Sequence, residues 1–188
     1  MALTPSTMLP LGTIAPDFAL PEPLTGQVRR LQDLTGPAGT VVMFICNHCP
    51  YVQHVNPELV RLARDYERRG IGFVALSAND AVHYPDDAPD RMADVAHVQG
   101  YGFPYLYDET QAVARAYQAA CTPDFYLFDA DRRCVYRGRL DASTPGNGVP
   151  LDGTDLRAAL DALLAGAAPA PAQHPSVGCN IKWKAVAG

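Results

Sequence analysis

The segment Cys46-Asn47-His48-Cys49-Pro50 follows the apolar run TVVMFI at 40–45 and precedes a stretch with helical spacing. A run without polar alternation is what a strand covered on both faces shows. The two cysteines therefore stand where a buried strand hands over to a helix. Their spacing puts both sulfurs in the first turn, within disulfide reach of one another. Unpaired N–H groups and the positive end of the helix dipole favour a thiolate there. C-x-x-C in a strand-to-helix setting is a dithiol redox motif. A cationic His48 between the sulfurs would further stabilise a Cys46 thiolate. On this reading Cys46, nearer the helix start and more exposed, is the nucleophile, and Cys49 resolves the mixed disulfide.

The remaining sequence narrows the class. At 188 residues the chain can bury a real core as one domain. A net charge of −5 argues against nucleic acid as a partner, because phosphate binding needs a basic surface. The longest apolar runs, at 41–45 and 158–168, are too short to span a bilayer, so no membrane association is expected. Residues 1–12 lack a basic segment followed by a continuous apolar one, so a cytoplasmic location is expected. Five cysteines, Cys46, Cys49, Cys121, Cys134 and Cys179, are too sparse for a disulfide scaffold and are to be judged site by site.

Along the chain, residues 16–34 predict a β-hairpin around a Leu-Thr-Gly turn. Breakers at 35–39 precede the central strand at 40–45. Helical spacing of Leu59, Leu62 and Tyr66 predicts a helix over 51–70, which Pro57 should kink or split. The run at 71–80 reads as a second buried strand, giving a parallel, right-handed β–α–β unit. A loop from 79, a helix over 90–99, a short strand at 103–108 and a helix over 109–119 follow. Residues 124–128 and 134–138 form the arms of a second hairpin, turning at Asp129-Ala130-Asp131. After a polar loop at 141–150, a helix over 154–166 has Thr154 as its cap and Gly166 at its end. The proline-rich run at 167–175 predicts an extended arm, and 176–188 regains apolar residues.

Strand, C-x-x-C, helix, then Thr122-Pro123 ahead of a hairpin and a closing helix resemble the thioredoxin superfamily. The segments APDFALP at 15–21 and PDFYLFDADRR at 123–133, with the insertion between about 79 and 120, resemble its redoxin branch. That branch holds the alkyl hydroperoxide reductase/thiol-specific antioxidant proteins and TlpA-like oxidoreductases. The tail SVGCNIKWK at 176–184 is similar to that of peroxiredoxin-like thioredoxin proteins. The resemblance implies an α/β thioredoxin-like fold: a central mixed sheet flanked by helices, an N-terminal hairpin, and an insertion after the second strand of the β–α–β unit. It implies one domain over 1–166, with the arm at 167–188 packed on it. It makes Pro123 a cis-proline facing the dithiol, with Thr122 and Pro50 beside the substrate.

By that resemblance the activity is thiol–disulfide exchange through Cys46 and Cys49. No cofactor beyond the redox-active disulfide is expected, and no metal. The implied partners are a protein or small-molecule disulfide or thiol, peroxide in the peroxidase case, and a reducing thiol donor. A homodimer is compatible with the pattern. A thiol-dependent peroxidase using Cys49 is the alternative, but it departs from the family pattern. Aligned on Cys49-Pro50, Cys46 stands where the peroxidatic motif has threonine and Val42 where it has proline. The peroxide-orienting arginine has no clear match before the hairpin, leaving Arg132, Arg133 or another arginine to reach the site. Cys121 and Cys179 are candidate additional redox thiols, able to pair with each other; the alternative for each is simple packing. Cys134 reads as packing, His54 and His97 as helix-surface residues, and Tyr101, Tyr105 and Tyr107 as core and rim. A third class, a metal-binding or chaperone-like module, would place Zn²⁺ or Cu⁺ on Cys46, Cys49, Cys121 and Cys179, with His48 in reserve.

Overall fold

The computed structural model describes residues 3–185. In chain order the elements are β1 (Leu3–Pro5), β2 (Ala19–Glu22), β3 (Gln27–Arg30), α1 (Leu31–Leu34), β4 (Gly39–Phe44), α2 (Pro50–Glu67) and β5 (Ile71–Ser77). A 3₁₀ turn at Pro85–Asp87 leads into α3 (Pro89–Gln99), β6 (Tyr105–Tyr107), α4 (Ala112–Ala116) and β7 (Cys121–Thr122). β8 (Asp124–Asp129), β9 (Cys134–Gly138), α5 (Thr154–Leu164) and β10 (Val177–Asn180) complete it.

β4 lies at the centre of a five-stranded sheet of order β6-β5-β4-β8-β9. It runs parallel to β5 and antiparallel to β8; β5 and β6 are parallel, and β8 and β9 form an antiparallel hairpin. Its six residues are all buried, and their side chains alternate between two cores. Val41 and Met43 pack with Leu59 and Leu62 of α2 and Leu156 and Leu160 of α5. Val42 and Phe44 pack on the opposite face with Phe18, Leu20, Leu31 and Tyr117. Helices cover one face; the N-terminal hairpin, α1 and α4 cover the other. This is the mixed, helix-flanked sheet of the thioredoxin-like fold, with the hairpin before it and the insertion after β5.

Two local expectations are corrected. Pro57 neither splits nor stops α2, which runs unbroken for 18 residues. Proline there forgoes its own N–H, but Pro57 and Gln53, whose carbonyl loses that donor, are both exposed and the carbonyl can turn to water. Buried Val52, Val55, Leu59 and Leu62 on the other face hold the helix together. Thr154 does not cap α5. Gly153, at φ +68°, is the cap residue, and Asp141 Oδ2 accepts its N–H at 2.7 Å. The arm over 167–175 leads to a strand, because β10 inserts between β1 and β7 in a second, three-stranded sheet. Cys179 lies opposite Thr122, and Asn180 opposite Cys121.

Candidate active site

β4 ends at Phe44 inside the sheet, and the chain passes through Ile45 and Cys46 to Cys49, the cap residue of α2. Pro50 follows at the first helical position, where a missing N–H costs nothing. α2 thus begins at Cys49, not at Cys46, which corrects the expectation that Cys46 lies nearer the helix start. Both sulfurs are buried, with Cys46 2% and Cys49 0% exposed. Cys46, Cys49, Cys121 and Cys134 are free thiols.

β7 supplies the opposite wall. The Thr122–Pro123 peptide bond is cis. Thr122 Oγ1 lies 3.4 Å from Cys46 Sγ, and the Thr122 carbonyl lies 3.3 Å from Cys49 Sγ. β10 brings the third sulfur, since Cys179 Sγ is 2.7 Å from Cys49 Sγ. Cys49 Sγ therefore lies against Cys179 Sγ, while Cys46 and Cys49 share the Thr122 wall.

That arrangement decides where negative charge rests. Hydrogen bonding from the Cys46 thiol pulls Cys49 down to about 5, aided by the Cys179 thiol and by the N–H groups of Val52 and Cys179. Burial opposes this but is outweighed. The same hydrogen bond, with burial and the charge of Asp87, holds Cys46 well above the ordinary thiol range. Burial and its bond to Cys49 push Cys179 up to about 12. The resting anion belongs to Cys49, the group at the helix N-terminus.

His48 does not act as a free cation beside Cys46. Its Nδ1 lies 2.6 Å from the carboxylate of Asp87, which also accepts the N–H groups of Asn47 at 2.7 Å and His48 at 3.3 Å and the Asn79 amide at 2.7 Å. The hydrogen bond to Asp87 raises His48. Burial would raise Asp87, but the bonds from His48 and Asn79 outweigh it and the carboxyl sits low. Tyr84 stacks on the imidazole at 5.8 Å between centroids. Asp87 carried no signal in the sequence: it sits in a loop-like acidic stretch and becomes a site residue only because the insertion folds back over Asn47 and His48. Tyr105 joins the same wall, donating from its hydroxyl to Asn47 Oδ1 at 3.1 Å.

Other candidates fall into place around this centre. Cys121 is buried one residue before Thr122, its Sγ 3.9 Å from the Pro123 carbonyl, and burial with the charge of Asp124 raises it. Cys134 is buried in the second core. His54 bonds Ser143 Oγ at 2.8 Å, and His97 lies in the last turn of α3. Arg132 and Arg133 do not reach the dithiol. They follow Asp129, which pairs with Gly39 at the far end of β4, whereas the dithiol follows Phe44, which pairs with Asp124. The four cysteines do not converge as metal ligands. Among the described residues the converging set is Cys46, His48 and Asp87, within 4.8 Å of one another. A cavity of about 110 Å³ opens beside Pro123, lined by Tyr51, Phe125, Arg139, Ser143 and Val177. Among the described residues no helix is long and apolar enough to cross a membrane.

The AhpC/TSA family model matches residues 11–137, more than half of the chain. The chain belongs to the AhpC/TSA family. The AhpC/TSA match takes in the dithiol, Asp87 and the Thr122–Pro123 bond and ends before α5 and β10. Among curated relatives the chain is similar to the thiol:disulfide interchange protein DsbE of Allochromatium vinosum, 27% identical over 120 residues. That match covers 62% of this chain and 60% of the relative's length. An uncharacterized conserved protein of Geobacillus kaustophilus superposes with a TM-score of 0.98 at 59% identity, covering 100% of this chain and 99% of the other. A hypothetical protein of Sinorhizobium meliloti 1021 gives 0.95 at 45% identity, covering 97% and 100%. The likeness to the Geobacillus kaustophilus chain extends over the C-terminal strand.

Proposed function

We propose that the protein is a thiol–disulfide oxidoreductase whose redox-active group is the Cys46–Cys49 pair. The observation that carries this is the placement of both sulfurs at the start of α2 and against the cis Thr122–Pro123 bond. The interchange activity named for the Allochromatium vinosum relative supports the reading. Cys49 is walled in by Cys179 and the Thr122 carbonyl, so Cys46 is the sulfur that meets substrate. In the reduced protein the Cys46 thiol donates to the Cys49 thiolate. As Cys46 attacks a substrate disulfide, its proton passes to Cys49 and one substrate thiolate leaves. That thiolate takes the proton from Cys49, which then attacks Cys46 Sγ and releases the second substrate thiolate. Two protein thiols become one disulfide and the substrate disulfide becomes two thiols. Electrons return from an external thiol donor, and no further cofactor is needed. The cavity beside Pro123 offers room for part of a substrate chain.

A peroxidase reading draws on one observation, the low thiolate at Cys49. Against it, Cys46 replaces the threonine donor, and Arg132 and Arg133 lie at the far end of the sheet, so neither of them supplies the guanidinium that would polarise an O–O bond. Stopped-flow mixing of reduced protein with hydrogen peroxide, beside a small disulfide, separates the two. Brisk disulfide exchange lost in Cys46→Ser, with slow peroxide consumption, is expected. Fast peroxide consumption lost only in Cys49→Ser would replace the oxidoreductase with a peroxidase.

A further inference from the structure

β10 lies outside the stretch matched by the family model, yet it closes the active site. It pairs antiparallel with β7, the two residues immediately before Pro123, and so occupies the edge an extended peptide would need in order to pair with Thr122. The strand is pinned at both ends. Ser176 donates its N–H to Ser6 Oγ at 3.0 Å and its hydroxyl to the Gly138 carbonyl at 2.7 Å. Lys182 donates its N–H at 2.8 Å to Asn79, the side chain that also holds Asp87. Gly178 permits the approach, since a Cβ there would stand 2.0 Å from the Thr122 carbonyl oxygen. The result is Cys179 Sγ at 2.7 Å from Cys49 Sγ.

We propose that Cys179 is a third redox cysteine that exchanges with the dithiol, converting the Cys46–Cys49 disulfide into a Cys49–Cys179 disulfide. The inference rests on the dithiol reading above. Cys179 Sγ attacks Cys49 Sγ, the Cys46–Cys49 bond breaks, and Cys46 leaves as a thiolate that takes the Cys179 proton. One disulfide and one thiol are present before and after, so no oxidant or reductant is consumed. Cys49, bonded to both partners in turn, is the shared sulfur. The exchange frees Cys46, the substrate-facing sulfur, while the protein stays oxidised.

The test is disulfide mapping of the full chain after oxidation by diamide, which takes two electrons from a pair of thiols, followed by acid quench, alkylation and mass spectrometry. Wild type is expected to yield both Cys46–Cys49 and Cys49–Cys179 cross-links. Cys46→Ser, which removes the competing partner, should convert to Cys49–Cys179. Gly178→Ala, which lifts β10 from Thr122, should lower the Cys49–Cys179 product by about tenfold or more while Cys46–Cys49 still forms. Free, alkylated Cys179 in oxidised wild type and in folded Cys46→Ser overturns the exchange, and so does an unchanged yield in Gly178→Ala. Absence of the Cys46–Cys49 cross-link in wild type, with Cys49–Cys179 present in Cys46→Ser, overturns the dithiol reading instead.

Discussion

His48 Nδ1 stands 2.6 Å from Asp87 Oδ2 across 39 residues of chain, and the pair forms one wall of the dithiol site. Asp87 is fully buried and holds the backbone of Asn47 and His48 between the two cysteines. Asp87→Asn is expected to let His48 fall back toward its ordinary value of ~6.5, read from the imidazole proton shifts against pH. The linkage has a definite sign. His48 is raised by folding, so its contribution is complete below ~6.5 and is lost as pH rises through the raised value. Asp87 is lowered, so its contribution is present above ~3.9 and is lost as pH falls through the lowered value. The variant should therefore lose most stability in the window between the two, by roughly 1–3 kcal/mol, the usual cost of unpairing buried donors. A His48 titration unchanged in Asp87→Asn would refute the pairing.

The reduced protein should show thiolate absorbance at acid pH. Cys49, lowered to about 5 first by the Cys46 thiol, titrates well below the ordinary ~8.5 of a free cysteine. Its contribution to stability is complete above ~8.5 and is lost as pH falls through about 5. Cys49→Ser should abolish the low transition in ultraviolet absorbance. Cys46→Ala and Cys179→Ala should each move it upward, because each removes a donor. A single transition near ~8.5 in wild type would contradict a thiolate held by its neighbours.

How much of this was legible in the chain follows from the range of the forces involved. The run at 40–45, Pro50 and the helical spacing of Leu59 and Leu62 fix β4, the turn and α2 through local rules of period and capping. The redoxin resemblance supplied Thr122-Pro123 as the opposite wall. What stayed hidden depends on contacts between distant segments. Asp87 is one acidic residue among several in its loop until the insertion folds over His48. The charge rests on Cys49 because the Cys46 thiol and the Cys179 thiol of β10 both donate to it, and spacing alone had placed it on Cys46. The arginines looked available only while the direction of β8 relative to β4 was unknown. Gly178 takes on its role only when β10 is laid against Thr122.

Gly72 marks another close crossing, away from the site. A Cβ there would lie 2.2 Å from the Leu34 carbonyl oxygen and 2.7 Å from the Gly36 amide nitrogen, both backbone atoms. Neither can yield without displacing the link between α1 and β4 or the pairing of Gly72 with Thr40. Gly72→Ala should cost about 2–3 kcal/mol in denaturant unfolding, the range for an overpacked interior. Gly102→Ala, where a Cβ meets nothing within 4 Å, provides the control and should stay within about 0.5 kcal/mol of wild type. Equal effects in the two variants would deny the crossing.

Asp124 opens β8 directly after Pro123 and is completely buried. Its carboxylate accepts the Tyr126 hydroxyl at 2.8 Å and the Phe125 N–H at 3.1 Å, and no cation pairs with it among the described ion pairs. Burial raises it to about 8, against the pull of those two bonds. The unfolded value is ~3.9, so the folded state gains nothing from ionisation between the two. Its contribution is complete below ~3.9 and is lost as pH rises toward about 8. At neutral pH the penalty is on the order of a few kcal/mol. Asparagine has the same shape, keeps an acceptor for the Phe125 N–H and carries no charge to desolvate. Asp124→Asn is therefore expected to gain on wild type steadily from pH 4 to 8 in chemical unfolding, with the difference smallest at the acid end. A variant that loses stability relative to wild type as pH rises would show that the carboxylate is ionised and solvated in the fold, and that burial does not set its protonation.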